Sequence, residues 1–169
     1  MKKIITLIVA IVFWVNGFAQ APAIQWQKCL GGTGDDRANS IQQTSDGGYI
    51  VAGSALSNDG DVTGQHGYGD YWVVKLDSFG TLQWQKCLGG DTMDYASSII
   101  QTSDGGYIVA GHTRSNNGDV TGNHGSMDYW IVKLNSTGNL QWQKCFGGTS
   151  DDRASCIRQT NDGGYIVAG

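Results

Sequence analysis

Two loops of closely similar sequence contain most of the side chains that could bind a ligand. Residues 57–70 read SNDGDVTGQHGYGD, and residues 115–128 read SNNGDVTGNHGSMD. Carboxylate and amide oxygens suit Ca²⁺, imidazole suits Zn²⁺, and long loops often carry function. The candidate ligand-binding residues in these loops are Asp59, Asp61, His66, Asp119 and His124.

The pattern of these residues argues against a metal site. Asp59 is replaced by Asn117 in the second loop, and neither loop has the spacing or the bidentate Glu of an EF-hand. No second His or Cys accompanies either histidine, as zinc would require. Asx turns and glycines explain the same residues. We therefore predict no metal and no cofactor, with an ordered Ca²⁺ in these loops as the alternative.

A second set of acids recurs just before the first candidate strand of each unit, as Asp36, Asp94 and Asp152. An Asx turn to the backbone is the simpler interpretation, and the functional alternative is that these carboxylates line a central channel. The sequence lacks GxSxG, HExxH and a Gly-rich phosphate loop. All 15 acidic residues are Asp, and none forms an evident glycosidase pair. We predict no catalytic residues and no enzymatic activity.

The elements that must position these residues repeat with a period of 58 residues. The segments IQWQKCLGG, LQWQKCLGG and LQWQKCFGG begin at residues 24, 82 and 140. Between them lie three further candidate strands, ANSIQQT, YIVAG and DYWVVKLD, with hairpin turns at SDGG and SFGT. The two middle strands are apolar on both faces, so both sides of the sheet must be covered.

These features predict an all-β fold of four-stranded antiparallel blades, as in a β-propeller. A β-solenoid is the alternative. Counting the opening IQWQKCLGG as a closing outer strand gives eleven strands and about two and a half blades, which form an open arc. The strand tryptophans are expected to pack between blades, with sugar stacking as the functional alternative. They are Trp26, Trp72, Trp84, Trp130 and Trp142.

The motifs TSDGGYIVAG, DGDVTG, DYWIVKL and WQKCLGG resemble a family of secreted bacterial repeat proteins that are predicted to be β-propellers. In that family such blades often precede a C-terminal sorting domain for type IX secretion. The resemblance covers the whole chain after residue 19 and implies an extracellular or cell-surface location. It implies no catalytic residues. The chain has fewer blades than such a protein needs and no sorting domain, so we expect the N-terminal part of a longer protein.

The N-terminus has the organisation of a secretory signal peptide. Lys2 and Lys3 form the positive segment, IITLIVAIVFWV is apolar but too short to span a membrane, and small residues permit cleavage after Ala19. We predict a signal peptide over residues 1–19 and a propeller-type domain over residues 20–169. The mature protein is expected to be secreted or on the cell surface, without membrane insertion.

The four cysteines are not expected to form a disulfide framework. Cys29, Cys87 and Cys145 lie at equivalent positions of successive repeats, too far apart to pair, and are expected to be small buried side chains. Only Cys156 breaks the period, and a pairing with Cys145 remains open.

Two functions compete at this stage. The formal net charge of −4 becomes −6 once the two lysines of the signal peptide are removed, so we predict no nucleic-acid partner. The favoured function is a non-catalytic extracellular scaffold or binding module for a protein or glycan. The alternative is a glycan-processing or quinone-dependent propeller enzyme whose catalytic residues lie in blades outside this sequence.

Overall fold

The structure is a computed structural model, and it describes residues 21–169. The signal peptide predicted over residues 1–19 lies outside this range. The described residues form ten β-strands and no helix, so none of their segments is a helix that could span a membrane. The prediction of an all-β fold is confirmed.

The strands form three antiparallel sheets. The first sheet contains β1 (Asp36–Gln43), β2 (Tyr49–Ala55), β3 (Asp70–Leu76) and β4 (Leu82–Leu88), in that spatial order. The second contains β5 (Asp94–Gln101), β6 (Tyr107–Thr113), β7 (Asp128–Leu134) and β8 (Leu140–Phe146), and the third contains β9 (Cys156–Gln159) and β10 (Tyr165–Ala168). The two complete sheets confirm the predicted four-stranded antiparallel arrangement.

The opening IQWQKCLGG differs from the prediction, because residues 24–32 contain no strand. A strand needs a hydrogen-bonded neighbour, and the described residues offer this segment none. It instead packs on the open face of the first sheet. The Trp26 ring lies edge-on to Tyr49, with centroids 5.5 Å apart, and Leu30 joins the same apolar cluster.

The glycine of each YIVAG segment is needed because another backbone segment passes close to it. β1 contains a bulge between Ala38 and Ser40, and Gly53 pairs with Ala38 beside it. A Cβ atom on Gly53 would overlap the carbonyl oxygen of Arg37. The same bulge and the same close approach recur at Gly111 in the second sheet, so the glycine is required by the register.

In each four-stranded sheet, a buried lysine on the third strand forms an ion pair with the turn between the first two strands. Lys75 Nζ lies 2.9 Å from Asp46 Oδ2 in the β1–β2 turn and donates to the carbonyl of Leu76 at 3.0 Å. Only 4% of the Lys75 side chain is exposed. Lys133 and Asp104 repeat the pair at 2.9 Å. The ion pair therefore fixes the turn against the sheet interior.

Successive sheets bury apolar faces against each other. The rings of Tyr71 and Trp130 pack in a tilted arrangement with centroids 4.5 Å apart, and the Tyr71 hydroxyl donates to the Trp130 carbonyl at 2.9 Å. Trp84 packs edge-on against Tyr107 of the second sheet, with ring centroids 5.7 Å apart. The expectation that these tryptophans pack between sheets is confirmed for Trp84 and Trp130.

The four cysteines are free. Cys87 is buried and Cys145 half-buried, as the periodic pattern predicts, but Cys29 is exposed. The prediction is wrong for Cys29 because its segment forms no strand and no described sheet covers it.

Candidate functional site

The acidic loops are fastened to glycine-rich segments by hydrogen bonds from the backbone. In the first loop, Asp61 Oδ2 accepts from the Gly31 N–H at 3.2 Å, and Asp59 Oδ1 accepts from the Thr33 N–H at 2.8 Å. Ser57 Oγ accepts from the Gly34 N–H at 2.8 Å. These bonds join the long loop to the connection that enters β1.

The second loop repeats the arrangement with one substitution. Asp119 Oδ2 accepts from the Gly89 N–H at 3.2 Å, and Asn117 Oδ1 accepts from the Asp91 backbone N–H at 3.0 Å. An amide oxygen accepts an N–H as a carboxylate does, which explains why Asn117 can stand in for Asp59. Among residues 21–169, no three His, Cys or Asp side chains are grouped so that they could hold a metal ion.

Asp36 and Asp94 occupy equivalent positions but different environments. Asp36 accepts from the Gly32 N–H at 2.8 Å and the Ser57 hydroxyl at 2.6 Å. Burial pushes the Asp36 pKa up, but the hydrogen bonds from Ser57, Gly32 and the backbone of Leu56 outweigh it, so the pKa lies below its usual range. Asp94 is fully buried, and burial holds its pKa above the usual range despite hydrogen bonds from Thr113 and Ser115.

The first strands of the three sheets border a groove of about 610 Å³. Ser40 Oγ accepts from the Ile99 N–H at 3.2 Å, and Ser98 Oγ accepts from the Ile157 N–H at 3.3 Å, so serines connect these strands. The groove is lined by residues of β1, β5 and β9 and by Ser155, whereas Asp36, Asp94 and Asp152 lie at or before the starts of these strands and do not line it. Asp152, for example, accepts from the Gly148 N–H at 2.8 Å.

Each loop also contains a His–Asp pair. His66 Nδ1 lies 2.6 Å from Asp70 Oδ2, which also accepts the His66 N–H at 3.0 Å, and His124 pairs with Asp128 at the same distance. Asp70 is fully buried, and burial raises its pKa. Its other oxygen has no hydrogen-bond partner and lies 2.9 Å from where a Cβ on Gly89 would be. A side chain at position 89 would therefore crowd the carboxylates of Asp70 and Asp94, which explains the glycine there.

A cleft beside the two long loops is lined by residues that the sequence analysis missed. It encloses about 510 Å³ between the first loop and the second sheet, and is lined by Tyr68, Thr92, Met93, Arg114 and Ser126. At the equivalent positions the repeat carries other side chains: Leu56 corresponds to Arg114, and Asp35 corresponds to Met93. A position-by-position comparison of the repeats was the sequence signal that could have found this cleft.

Backbone pairing fixes the walls of the cleft. Gly69 and Met93 form a parallel bridge, and the Asp94 N–H donates to the Gly69 carbonyl at 2.7 Å. The Arg114 N–H donates to the Met93 carbonyl at 3.0 Å. Three chain segments from two repeats are thus held together by main-chain bonds, whatever side chains they carry.

One cationic side chain, that of Arg114, lines the cleft. Arg114 is exposed and forms no ion pair with the described carboxylates, whereas Arg153 pairs with Asp151 at 2.9 Å. Burial lowers the His112 pKa, and Arg153 and Arg114 lower it further. The Nδ1 atom of His112 is buried without a hydrogen-bond partner among the described residues. The neighbourhood therefore holds a guanidinium that is available to an anionic group.

No family model matches the chain. Among curated proteins, a stretch of 158 residues is 26% identical to the regulatory protein FlaEY of Caulobacter vibrioides. The match covers 85% of this chain and 16% of that protein, so the chain spans about a sixth of the relative's length.

Proposed function

We propose that the chain is a non-catalytic, exported repeat scaffold whose sheets stack as β-propeller blades and whose loop side binds a protein or glycan. The observation that carries the proposal is the use of the repeated acids. Asp36, Asp59, Asp61 and Asp119 each accept backbone N–H groups of the adjoining glycine segment. Their role is to hold loops in place, which suits a scaffold.

The stacking of the sheets supports the blade interpretation. The apolar core between the first and second sheets includes Ile50 and Val73 on one side and Val109 and Val132 on the other. A second core joins Ile108 and Ile131 to the third sheet. Burial on both faces of the same sheet is what a blade within a propeller requires.

The similarity to FlaEY supports a smaller part of the proposal. That protein is described as a regulatory protein, and the matching stretch is a small part of it. A segment similar to this chain can therefore form a small part of a longer protein. An identity of 26% gives no reason to transfer the regulatory role.

Export and binding can be tested on the full chain. We expect the protein to leave the cytoplasm and to begin after Ala19, as read by N-terminal sequencing of the secreted fraction. On an array of neutral, acidic and amino-sugar polysaccharides and of secreted proteins, we expect saturable binding without any change in ligand length after long incubation. Retention in the cytoplasm would contradict the export half of the proposal, and depolymerisation of a bound polysaccharide would support the enzyme alternative.

A further inference from the structure

We propose that the cleft lined by Tyr68, Thr92, Met93, Arg114 and Ser126 binds a sugar chain that carries carboxylate groups, such as a uronic-acid polymer. Arg114 would pair with a carboxylate, and the Tyr68 ring would lie against a sugar ring. This inference rests on the proposed function and names the ligand class and the site.

The repeats differ from one another at the cleft. The loop acids and strand cores recur almost unchanged, because each unit needs them to fold. Residues at the cleft differ from their counterparts: Tyr68 corresponds to Ser126, and Arg114 to Leu56. The main-chain bonds that shape the cleft do not depend on these side chains. Folding therefore leaves the cleft residues free to serve recognition.

The chemistry of Arg114 suits a carboxylate. A guanidinium binds a carboxylate through two parallel hydrogen bonds, the strongest polar contact that proteins make with such a group. Asp151, the nearby carboxylate, is already paired with Arg153 at 2.9 Å. Arg114 is exposed and forms no ion pair among the described residues, so its guanidinium is available to a carboxylate of a ligand.

The other residues of the cleft suit a sugar ring. Tyr68 is 75% exposed and offers a planar ring beside short hydroxyl side chains, Thr92 and Ser126. None of the lining residues is buried, so the cleft has no enclosed apolar pocket of the kind that anchors a peptide side chain. An aromatic surface, hydroxyl groups and one cation suit a carboxylated sugar better than an acidic peptide.

The test is a titration of the full chain with oligogalacturonate, followed by calorimetry. We expect saturable binding to the wild-type chain, and none to dextran, a neutral sugar chain. Arg114→Leu recreates the residue at position 56 of the other repeat and should raise the Kd at least tenfold. Tyr68→Ser recreates the residue at position 126 and should raise it several-fold. The thermal unfolding midpoint of both variants should match that of the wild type.

Arg37→Leu is the matched control, because it removes an exposed arginine outside the cleft. It should change the Kd less than twofold. The inference would be overturned if Arg37→Leu and Arg114→Leu lost affinity for oligogalacturonate equally. Binding of poly-glutamate in place of oligogalacturonate would also overturn it. So would the absence of oligogalacturonate binding. If the chain instead binds another array ligand with the same affinity in Arg114→Leu, the scaffold proposal survives and this inference fails alone.

Discussion

The first and second sheets have nearly the same sequence but different neighbours. The second sheet lies between two others and contributes to the apolar cores on both of its faces. The first sheet packs on the second through one face only, and its other face is covered in part by Trp26 and Leu30. Equivalent residues therefore differ in burial: Ile99 is 2% exposed and Ile41 is 64% exposed. A repeat sequence specifies a sheet, and position in the stack decides what each residue contributes.

Truncation of these two isoleucines should give the largest contrast. Ile99→Ala leaves a cavity between sheets and should lower the free energy of unfolding by about 3 kcal/mol. Ile41→Ala should cost about 0.5 kcal/mol, since its side chain is already in solvent. Urea denaturation of the two variants measures both values. Equal losses would mean that the open face of the first sheet is covered in solution.

The hairpin ion pairs should make the two sheets behave alike. Asp46→Ala and Asp104→Ala each leave a buried ammonium without its carboxylate, and each should cost about 2 kcal/mol because the aspartates are half exposed. The Thr44 hydroxyl and the Lys75 ammonium hold the Asp46 pKa far below its usual value of 3.8. The loss should therefore be full above pH 3.8 and shrink as the pH falls below it. The same urea denaturation measures both losses. A loss of unfolding free energy in only one of the two variants would contradict the view that the two ion pairs have the same role.

Asp36 and Asp94 should respond to pH with opposite signs. Hydrogen bonds lower the Asp36 pKa, so this carboxylate stabilises the fold above its unfolded pKa, and the cost of Asp36→Asn should grow as the pH rises. Burial raises the Asp94 pKa, so its ionisation opposes folding, and the cost of Asp94→Asn should shrink as the pH rises. Unfolding curves of both variants from pH 3 to pH 7, measured against the wild type, check the two slopes. Slopes of the same sign would show that the two positions are equivalent.

The smallest effect concerns the loop acceptor that already differs between the repeats. Asp59→Asn should change stability by less than about 0.5 kcal/mol, because Asn117 accepts the same type of bond. Asp59→Ala removes the acceptor for the Thr33 N–H and should cost about 1 kcal/mol. Thermal unfolding of the pair separates the two cases. A large loss in Asp59→Asn alone would point to a role for the negative charge, such as binding Ca²⁺.

Much of the fold follows from short-range patterns. The 58-residue period, the Asp-Gly-Gly turns and the doubly apolar middle strands are enough to place β1 to β10 and their antiparallel order. The opening IQWQKCLGG fails as a strand because pairing is a property of two segments, and a sequence motif supplies only one of them. The exposure of Cys29 has the same cause.

The candidate site was likewise predicted only in part from the sequence. The sequence identified Asp59, Asp61 and His66 as polar loop residues, but their partners could not be read from it. Asp61 accepts from Gly31, thirty residues earlier, and only the folded chain brings the two together. The cleft at Arg114 was missed because its walls come from two repeats, and no single loop motif contains them.

By itself, the sequence determined the repeat, the strand and turn residues, and the types of side chain available on the loop side. These depend on local backbone preferences and on the period of apolar residues, which act within one unit. The tertiary structure decided which acids are buried, which face of a sheet is covered, and that Arg114 lies beside Tyr68 without an ion pair among the described residues. Burial and charge pairing depend on neighbours distant in the chain, so only the stacked sheets could set them.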